Sequence, residues 1–123
     1  MKKITTYKEP RWLKIRHSAL VRDKYMDAYL SRYGVLKQAE MVHHIFPVDA
    51  FPEYQYELWN LISVTKYTHN QLHDKETDLL SKKGIDLLVS TARKNKIPIP
   101  YGYINQKKKK THALFMNGRG IYD

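Results

Sequence analysis

Four of the six histidines lie in one stretch of the sequence, at spacings that suit a metal site beside a catalytic base. Two of them, His43 and His44, are adjacent and follow the apolar run 39–42. Consecutive side chains of a strand point to opposite faces, so one imidazole can hold a metal while its neighbour faces a substrate. The other two, His69 and His73, are four residues apart in a segment with helical periodicity. Residues with that separation share one helix face and can form a metal chelate.

A further signal lies between the two pairs, in the run Trp59-Asn60-Leu61. The amide of Asn60 falls at the junction of a loop and a strand, where it can bond across the loop and fix its shape. The histidines also allow an alternative, because all four together can close around one zinc ion as a purely structural site. A closed site has no need of two adjacent histidines, so the pattern favours a catalytic arrangement.

The motif His-His-x-x-Pro, followed by Asn-Leu and then His-Asn-x-x-His, resembles the ββα-metal core of the HNH nucleases. The spacing is similar to the metal site of the colicin-type DNases, and residues 7–83 resemble the small HNH endonucleases of tailed phages. This resemblance implies a metal-dependent DNA endonuclease acting in phage genome processing or packaging, with terminase subunits as further partners. It implies these site residues: His43, His69 and His73 bind the metal, His44 is the general base, and Asn60 holds the loop that orients it.

The ligand set limits the identity of the metal. Three neutral imidazoles favour zinc, nickel, cobalt or manganese over magnesium, which prefers carboxylates and waters. The expected cofactor is one divalent ion, drawn from these five metals. An ordinary imidazole pKa near 6.5 leaves His44 mostly neutral at cellular pH, as a general base requires.

One part of the phage-type pattern is missing. Phage-type relatives usually carry two Cys-x-x-Cys pairs that bind a structural zinc, whereas this sequence has no cysteine. Asp27 and Leu30 stand at the first pair of positions, and Thr65 and Thr68 stand at the second. A structural zinc can contribute on the order of 10 kcal/mol in a small domain, so another source of stability is required. We expect side-chain packing to supply it, from Trp12, Tyr29, Leu30 and Trp59.

Hydrophobic periodicity predicts the elements that position the motif. The predicted helices span about 11–32, 67–80 and 85–94, and the predicted strands span 39–45 and 61–64. Gly34 is expected to stop the first helix. The loop between the strands carries aromatic residues that are expected to pack in the core rather than stack on nucleotides, namely Phe51, Tyr54, Tyr56 and Trp59.

These elements predict an α+β fold class. The expected ββα-metal core is a two-stranded antiparallel hairpin plus a helix, at about residues 39–80, with an added N-terminal helix and a C-terminal helix and tail. We expect one HNH nuclease domain over residues 1–96 and a basic tail over 97–123, either disordered or extended. Monomer and homodimer both fit the sequence.

The charge distribution favours nucleic acid as the partner. Residues 1–38 carry 10 Lys and Arg against 3 Asp and Glu, residues 39–90 carry 4 against 8, and residues 91–123 carry 8 against 1. A polyanion lying along the two basic arms could present a phosphate to the middle, although a merely solvated surface is the alternative interpretation. The candidate DNA contacts are Arg11, Lys14, Arg16, Arg22, Lys107, Lys108, Lys109 and Lys110.

Two other functions fit the same residues. One is a DNase toxin or mobile-element endonuclease with the same chemistry. The other is a non-catalytic DNA-binding packaging accessory protein whose histidines form a structural metal site. In each case no membrane partner is expected, because no apolar run approaches the roughly 20 residues needed to cross a bilayer. The expected location is the cytoplasm, that of the host if a phage encodes the chain.

Overall fold

The computed structural model describes residues 9–74, 76–77 and 79–106, and its contacts define two units, Met1–Asn70 and Gln71–Asp123. The elements that begin in the first unit are α1 (Pro10–Arg22), α2 (Ala28–Ser31), β1 (Met41–His44), β2 (Leu61–Val64) and α3 (Lys66–Gln71). The elements of the second unit are β3 (His73–Asp74), β4 (Leu79–Leu80), α4 (Lys82–Asn95) and α5, a helical stretch over 101–106.

The paired histidines lie on an antiparallel hairpin of β1 and β2. In its register, His43 faces Ile62 and His44 faces Leu61. Every residue of β2 is buried, as its β-branched and apolar composition predicts. Both predicted strands are confirmed, and the first is shortened to Met41–His44. One face of the hairpin packs against α1, in a core cluster that contains Trp12, Ala19 and Leu61.

The first helix is shorter than its apolar spacing predicts. Instead of continuing to residue 32, α1 ends at Arg22, and the chain turns through Lys24 and Tyr25, which adopt left-handed φ angles of 57° and 59°. The Asp23 carboxylate accepts hydrogen bonds from the Arg22 guanidinium and, at 3.0 Å, from the backbone N–H of Ser63. This bond to β2 fixes the end of the helix, so a tertiary contact overrides the local periodicity.

A buried carboxylate lies at Asp27, the first of the four positions expected to correspond to the zinc-binding cysteines of phage-type relatives. Asp27 is fully buried and accepts 2.7 Å hydrogen bonds from the backbone N–H groups of Leu30 and Thr65. The Thr65 hydroxyl lies 3.0 Å from the same carboxylate and 3.3 Å from the Thr68 hydroxyl. Burial acts to raise the pKa of Asp27, but these hydrogen bonds outweigh it and hold the pKa below its usual value.

The expected replacement for zinc is therefore only partly right. Trp12 is buried as expected, whereas Tyr29, Leu30 and Trp59 are half-buried. The four positions expected to correspond to the cysteines are instead joined by hydrogen bonds centred on Asp27.

An aromatic cluster fills the long loop between the strands. The ring of Phe46 is 99% buried and contacts Phe51, Tyr54 and Trp59 edge-on, with centroid distances of 5.1, 5.2 and 5.7 Å. Core packing is thus confirmed for these three loop aromatics. Tyr56 also packs against the core, but against the cluster that contains Trp12, Ala19 and Leu61 rather than against Phe46.

The second unit begins at Gln71, the residue at which the helix predicted over 67–80 ends. The helical pattern over 67–80 predicts one long helix, but α3 ends at Gln71, and His73–Asp74 pairs with Leu79–Leu80 as an antiparallel bridge of two short strands. A short segment with two adjacent leucines fits either structure by periodicity alone, which explains the error.

The last predicted helix is confirmed as α4 (Lys82–Asn95). Ser81 caps it by accepting a 3.1 Å hydrogen bond from the Gly84 N–H. Leu72, Leu80 and Leu88 are fully buried in this unit. The tail was expected to be disordered or extended, and this expectation is wrong for residues 101–106, which form a helix. Residues 107–123 lie outside the described residues. The domain boundary at residue 96 stays a prediction.

Candidate metal and catalytic site

Three histidines converge in the arrangement expected of metal ligands. His43 projects from the face of β1 opposite to His44, and its ring lies 5.5 Å from that of His69 in α3, with an interplanar angle of 79°. His73 follows in β3, and one ring nitrogen from each of the three histidines lies within 4.8 Å of the others. These three nitrogens are close enough together for the cluster to hold one metal ion. The predicted clustering is confirmed, although His73 reaches it from a strand rather than from the face of a helix.

His44 lies in a different environment, against α1. Its ring stacks on Trp12 with a centroid distance of 4.9 Å and an interplanar angle of 24°. Its Nε2 atom lies 3.0 Å from the backbone oxygen of Gln55. Because a carbonyl oxygen only accepts, Nε2 carries the hydrogen, and the basic lone pair is on Nδ1.

Burial lowers the pKa of His44, against a smaller opposing effect of the hydrogen bond to Gln55. A lowered pKa keeps the imidazole neutral at physiological pH. His44 is therefore a half-buried neutral base whose tautomer and ring plane are both fixed by contacts.

Asn60 holds the loop that provides the Gln55 carbonyl. It is fully buried, and its Oδ1 accepts a 2.7 Å hydrogen bond from the Phe46 N–H. Its Nδ2 donates to the backbone oxygens of Phe46 and Tyr54, at 3.2 and 3.1 Å. The bond across the loop that the sequence predicts is present, and it closes the loop at both ends.

Comparison with known proteins bears on the fold. No family model and no curated protein matches the sequence. A solved structure does match, the HNH endonuclease of the deep-sea thermophilic bacteriophage GVE2, crystallised with a manganese ion. The match has a TM-score of 0.55 and 23% sequence identity, and it covers 56% of this chain and 75% of that one. The fold is that of an HNH endonuclease.

The HNH fold confirms the predicted α+β class and its ββα-metal core. Its hairpin is β1 and β2, and its helix is α3. Manganese, the ion in the GVE2 crystal, is among the metals expected for this histidine set. In the described part of the chain, no helix has the length and apolar character of a membrane span.

Arg22 has a structural role in this HNH fold. Its guanidinium donates to the backbone oxygens of Leu58 and Leu61, at 2.9 and 2.6 Å, and to the Asp23 carboxylate. These bonds tie the end of α1 to the start of β2. A contact between Arg22 and DNA stays a prediction.

The other basic candidates divide into two groups. Arg11, Lys14 and Arg16 lie on α1, where Arg11 is stacked over the ring of Tyr56 at 4.1 Å from its centroid. The second group, Lys107, Lys108, Lys109 and Lys110, lies outside the described residues.

Two contacts of the site are not predicted by the sequence pattern. Gln55 acts through its backbone oxygen, which every residue has, so no residue type signals it. Trp12 is recognisable in sequence as an apolar residue of α1 and as the start of the phage-type resemblance. Its position on the ring of His44, 32 residues away in sequence, follows only from the packing of α1 on the hairpin.

Proposed function

We propose that this chain is a metal-dependent HNH endonuclease that hydrolyses phosphodiester bonds of DNA, by nicking or double-strand cleavage. The observation that carries the proposal is the division of four histidines into a convergent trio and one neutral, separately held neighbour. A closed structural site would leave His44 with no chemical task. A Trp12 stack and a fixed tautomer suit a group that must act repeatedly in one orientation.

In this mechanism His44 is the general base. Its Nδ1 takes a proton from a water molecule whose oxygen forms a bond to phosphorus as the bond to the 3′ oxygen breaks. The products are a 5′ phosphate and a 3′ hydroxyl, whose proton comes from solvent. The Gln55 carbonyl stabilises the imidazolium by accepting from Nε2–H throughout.

His43, His69 and His73 would hold one divalent ion, of manganese, magnesium, nickel, cobalt or zinc. Bound there, the ion supplies Lewis-acid stabilisation of the charge on phosphorus and on the leaving oxygen. Asn60 acts as a positioning residue, because its three hydrogen bonds hold the loop that carries Gln55. The DNA contacts on α1 and in the basic tail belong to the same proposal.

The test is cleavage of supercoiled plasmid by chelator-stripped protein, with single metals added back, beside His44→Ala and His69→Ala. We expect His44→Ala to bind metal and DNA without cleaving, and His69→Ala to lose metal binding and cleavage together. Loss of the metal in His44→Ala, with DNA binding but no metal-dependent cleavage by the wild-type chain, would instead support the accessory-protein function.

We propose phage genome processing or packaging as the biological role, supported by the resemblance to phage enzymes and by the phage origin of the GVE2 structure. The position of the gene tests this role. A gene beside those of terminase subunits supports it, whereas a neighbouring immunity gene or an intron setting supports a toxin or a mobile-element endonuclease.

A further inference from the structure

A small concave pocket lies on the first unit beside the proposed general base. Its volume is about 200 Å³, and it is lined by Arg11, Lys14, Ile15, Ser18 and Tyr56. Four of these residues come from one side of α1, and the fifth comes from the loop between the strands. The pocket therefore combines two cationic side chains, a hydroxyl and an aromatic ring, and its cations and hydroxyl suit a phosphate group.

Two residues that line the pocket, Arg11 and Tyr56, are each adjacent in sequence to a residue that contacts His44. Arg11 precedes Trp12, which stacks on the His44 ring, and Tyr56 follows Gln55, whose oxygen accepts from His44 Nε2. The pocket is therefore linked to His44 through Trp12 on one side and through Gln55 on the other.

The two cations of the pocket have no acidic partner among the described residues. Among the described residues, neither Arg11 nor Lys14 forms an ion pair. The guanidinium of Arg11 lies over the face of Tyr56, at 4.1 Å from the ring centroid, which leaves its N–H edges available. Glu9 accepts a hydrogen bond from the Tyr56 hydroxyl and so holds the ring beneath the guanidinium.

Resting on the proposed function, we infer that this pocket is a subsite for a single backbone phosphate of the DNA substrate, next to the scissile one and shared by Arg11 and Lys14. The contact is to the backbone, so it fixes the register of the strand without reading its sequence. Arg22 has no part in it, because its guanidinium is bonded to Asp23 and to two backbone oxygens.

Salt dependence of DNA binding tests the subsite quantitatively. The probe is a labelled DNA duplex, and each charge variant is made in the non-cleaving His44→Ala background. The logarithm of the binding constant falls with the logarithm of salt concentration, with a slope of about −0.9 for each neutralised phosphate. One shared phosphate predicts that the double variant Arg11→Gln/Lys14→Gln has a slope shallower by about 0.9. Two independent contacts predict a change of about 1.8, which would overturn a shared subsite.

Matched variants separate this local effect from net charge. Lys94→Gln removes one exposed positive charge from α4 and should leave the slope unchanged. Glu9→Gln keeps an acceptor for Tyr56 but removes a negative charge beside the pocket, so it should tighten binding. An equal change of slope in Lys94→Gln and in the double variant Arg11→Gln/Lys14→Gln would refute the subsite, as would weaker binding by Glu9→Gln.

The subsite and the catalytic proposal can fail separately. In the cleaving background, the double variant should raise the KM for plasmid DNA and leave kcat near the wild-type value. A shallower salt slope in a chain that never cleaves would leave the subsite standing and refute the endonuclease. Metal-dependent cleavage by the wild-type chain, with no change of slope in the double variant, would support the endonuclease and refute the subsite.

Discussion

Replacing Asp27 with alanine tests whether its carboxylate holds α2 to the end of β2. Asp27 joins two parts of the chain, because Leu30 lies three residues away in sequence and Thr65 lies 38 away. Alanine removes all three of its hydrogen bonds without adding bulk. The Thr65 hydroxyl keeps a partner in Thr68 at 3.3 Å, so the loss falls on the two backbone N–H groups.

The structure sets the size of the expected effect. Asp27 is the N-cap of α2, and loss of an N-cap costs about 0.5–2 kcal/mol. The Thr65 N–H is buried, and a buried donor left without an acceptor costs about 1–3 kcal/mol. The expected loss in free energy of unfolding is therefore about 1.5–5 kcal/mol. That is a large fraction of the roughly 5–15 kcal/mol typical of a folded domain.

The assay is urea denaturation followed by circular dichroism, at neutral pH and in acid. Since the folded pKa of Asp27 lies below the unfolded value of about 3.9, its stabilisation is complete above that value. It is lost as pH falls through the folded pKa. The stability difference between wild type and Asp27→Asn, which cannot ionise, should therefore shrink in acid.

Asp86→Ala is the matched control for loss of one carboxylate. Its side chain is 66% exposed and pairs with Lys82 across one helical turn, so we expect a loss below about 0.5 kcal/mol. If Asp27→Ala is no less stable than Asp86→Ala, the carboxylate does not hold this region together. A stability difference from Asp27→Asn that stays constant down to acid pH would refute the role of its charge.

Three further predictions follow from single contacts. Trp12→Leu removes the aromatic pair with His44, so in the plasmid assay it should lower kcat by about 2- to 12-fold with little change in metal binding. Trp12→Phe keeps an aromatic ring and should retain most of the activity. Asn60→Asp should lower both Tm and cleavage, because a carboxylate would face the backbone oxygens of Phe46 and Tyr54; a thermal melt at unchanged Tm would contradict this. Gly84→Ala should be destabilising, because a Cβ atom there overlaps the backbone oxygen of Leu72, whereas Gly102→Ala meets nothing within 4 Å and should melt like the wild type.

The sequence by itself determined the parts of this protein that depend on near neighbours. Adjacent residues of a strand alternate between faces, so the spacing of His43 and His44 was enough to predict that they lie in two environments. The β-branched residues of β2 and the amphipathic period of α4 were likewise sufficient to predict a strand and a helix, because both patterns depend only on residues close in sequence. Asn60 could be assigned a bond across its loop because an amide at that junction has few other partners.

Tertiary structure decided the parts that depend on residues distant in sequence. The bond from Ser63 to Asp23 ends α1 ten residues earlier than its apolar period predicts. Pairing with Leu79–Leu80 places His73 in a strand instead of a helix. The stack of Trp12 on His44 and the partners of Asp27 likewise join segments more than 30 residues apart. Periodicity reports which side of an element is apolar, but only packing of the folded chain determines which distant group meets it.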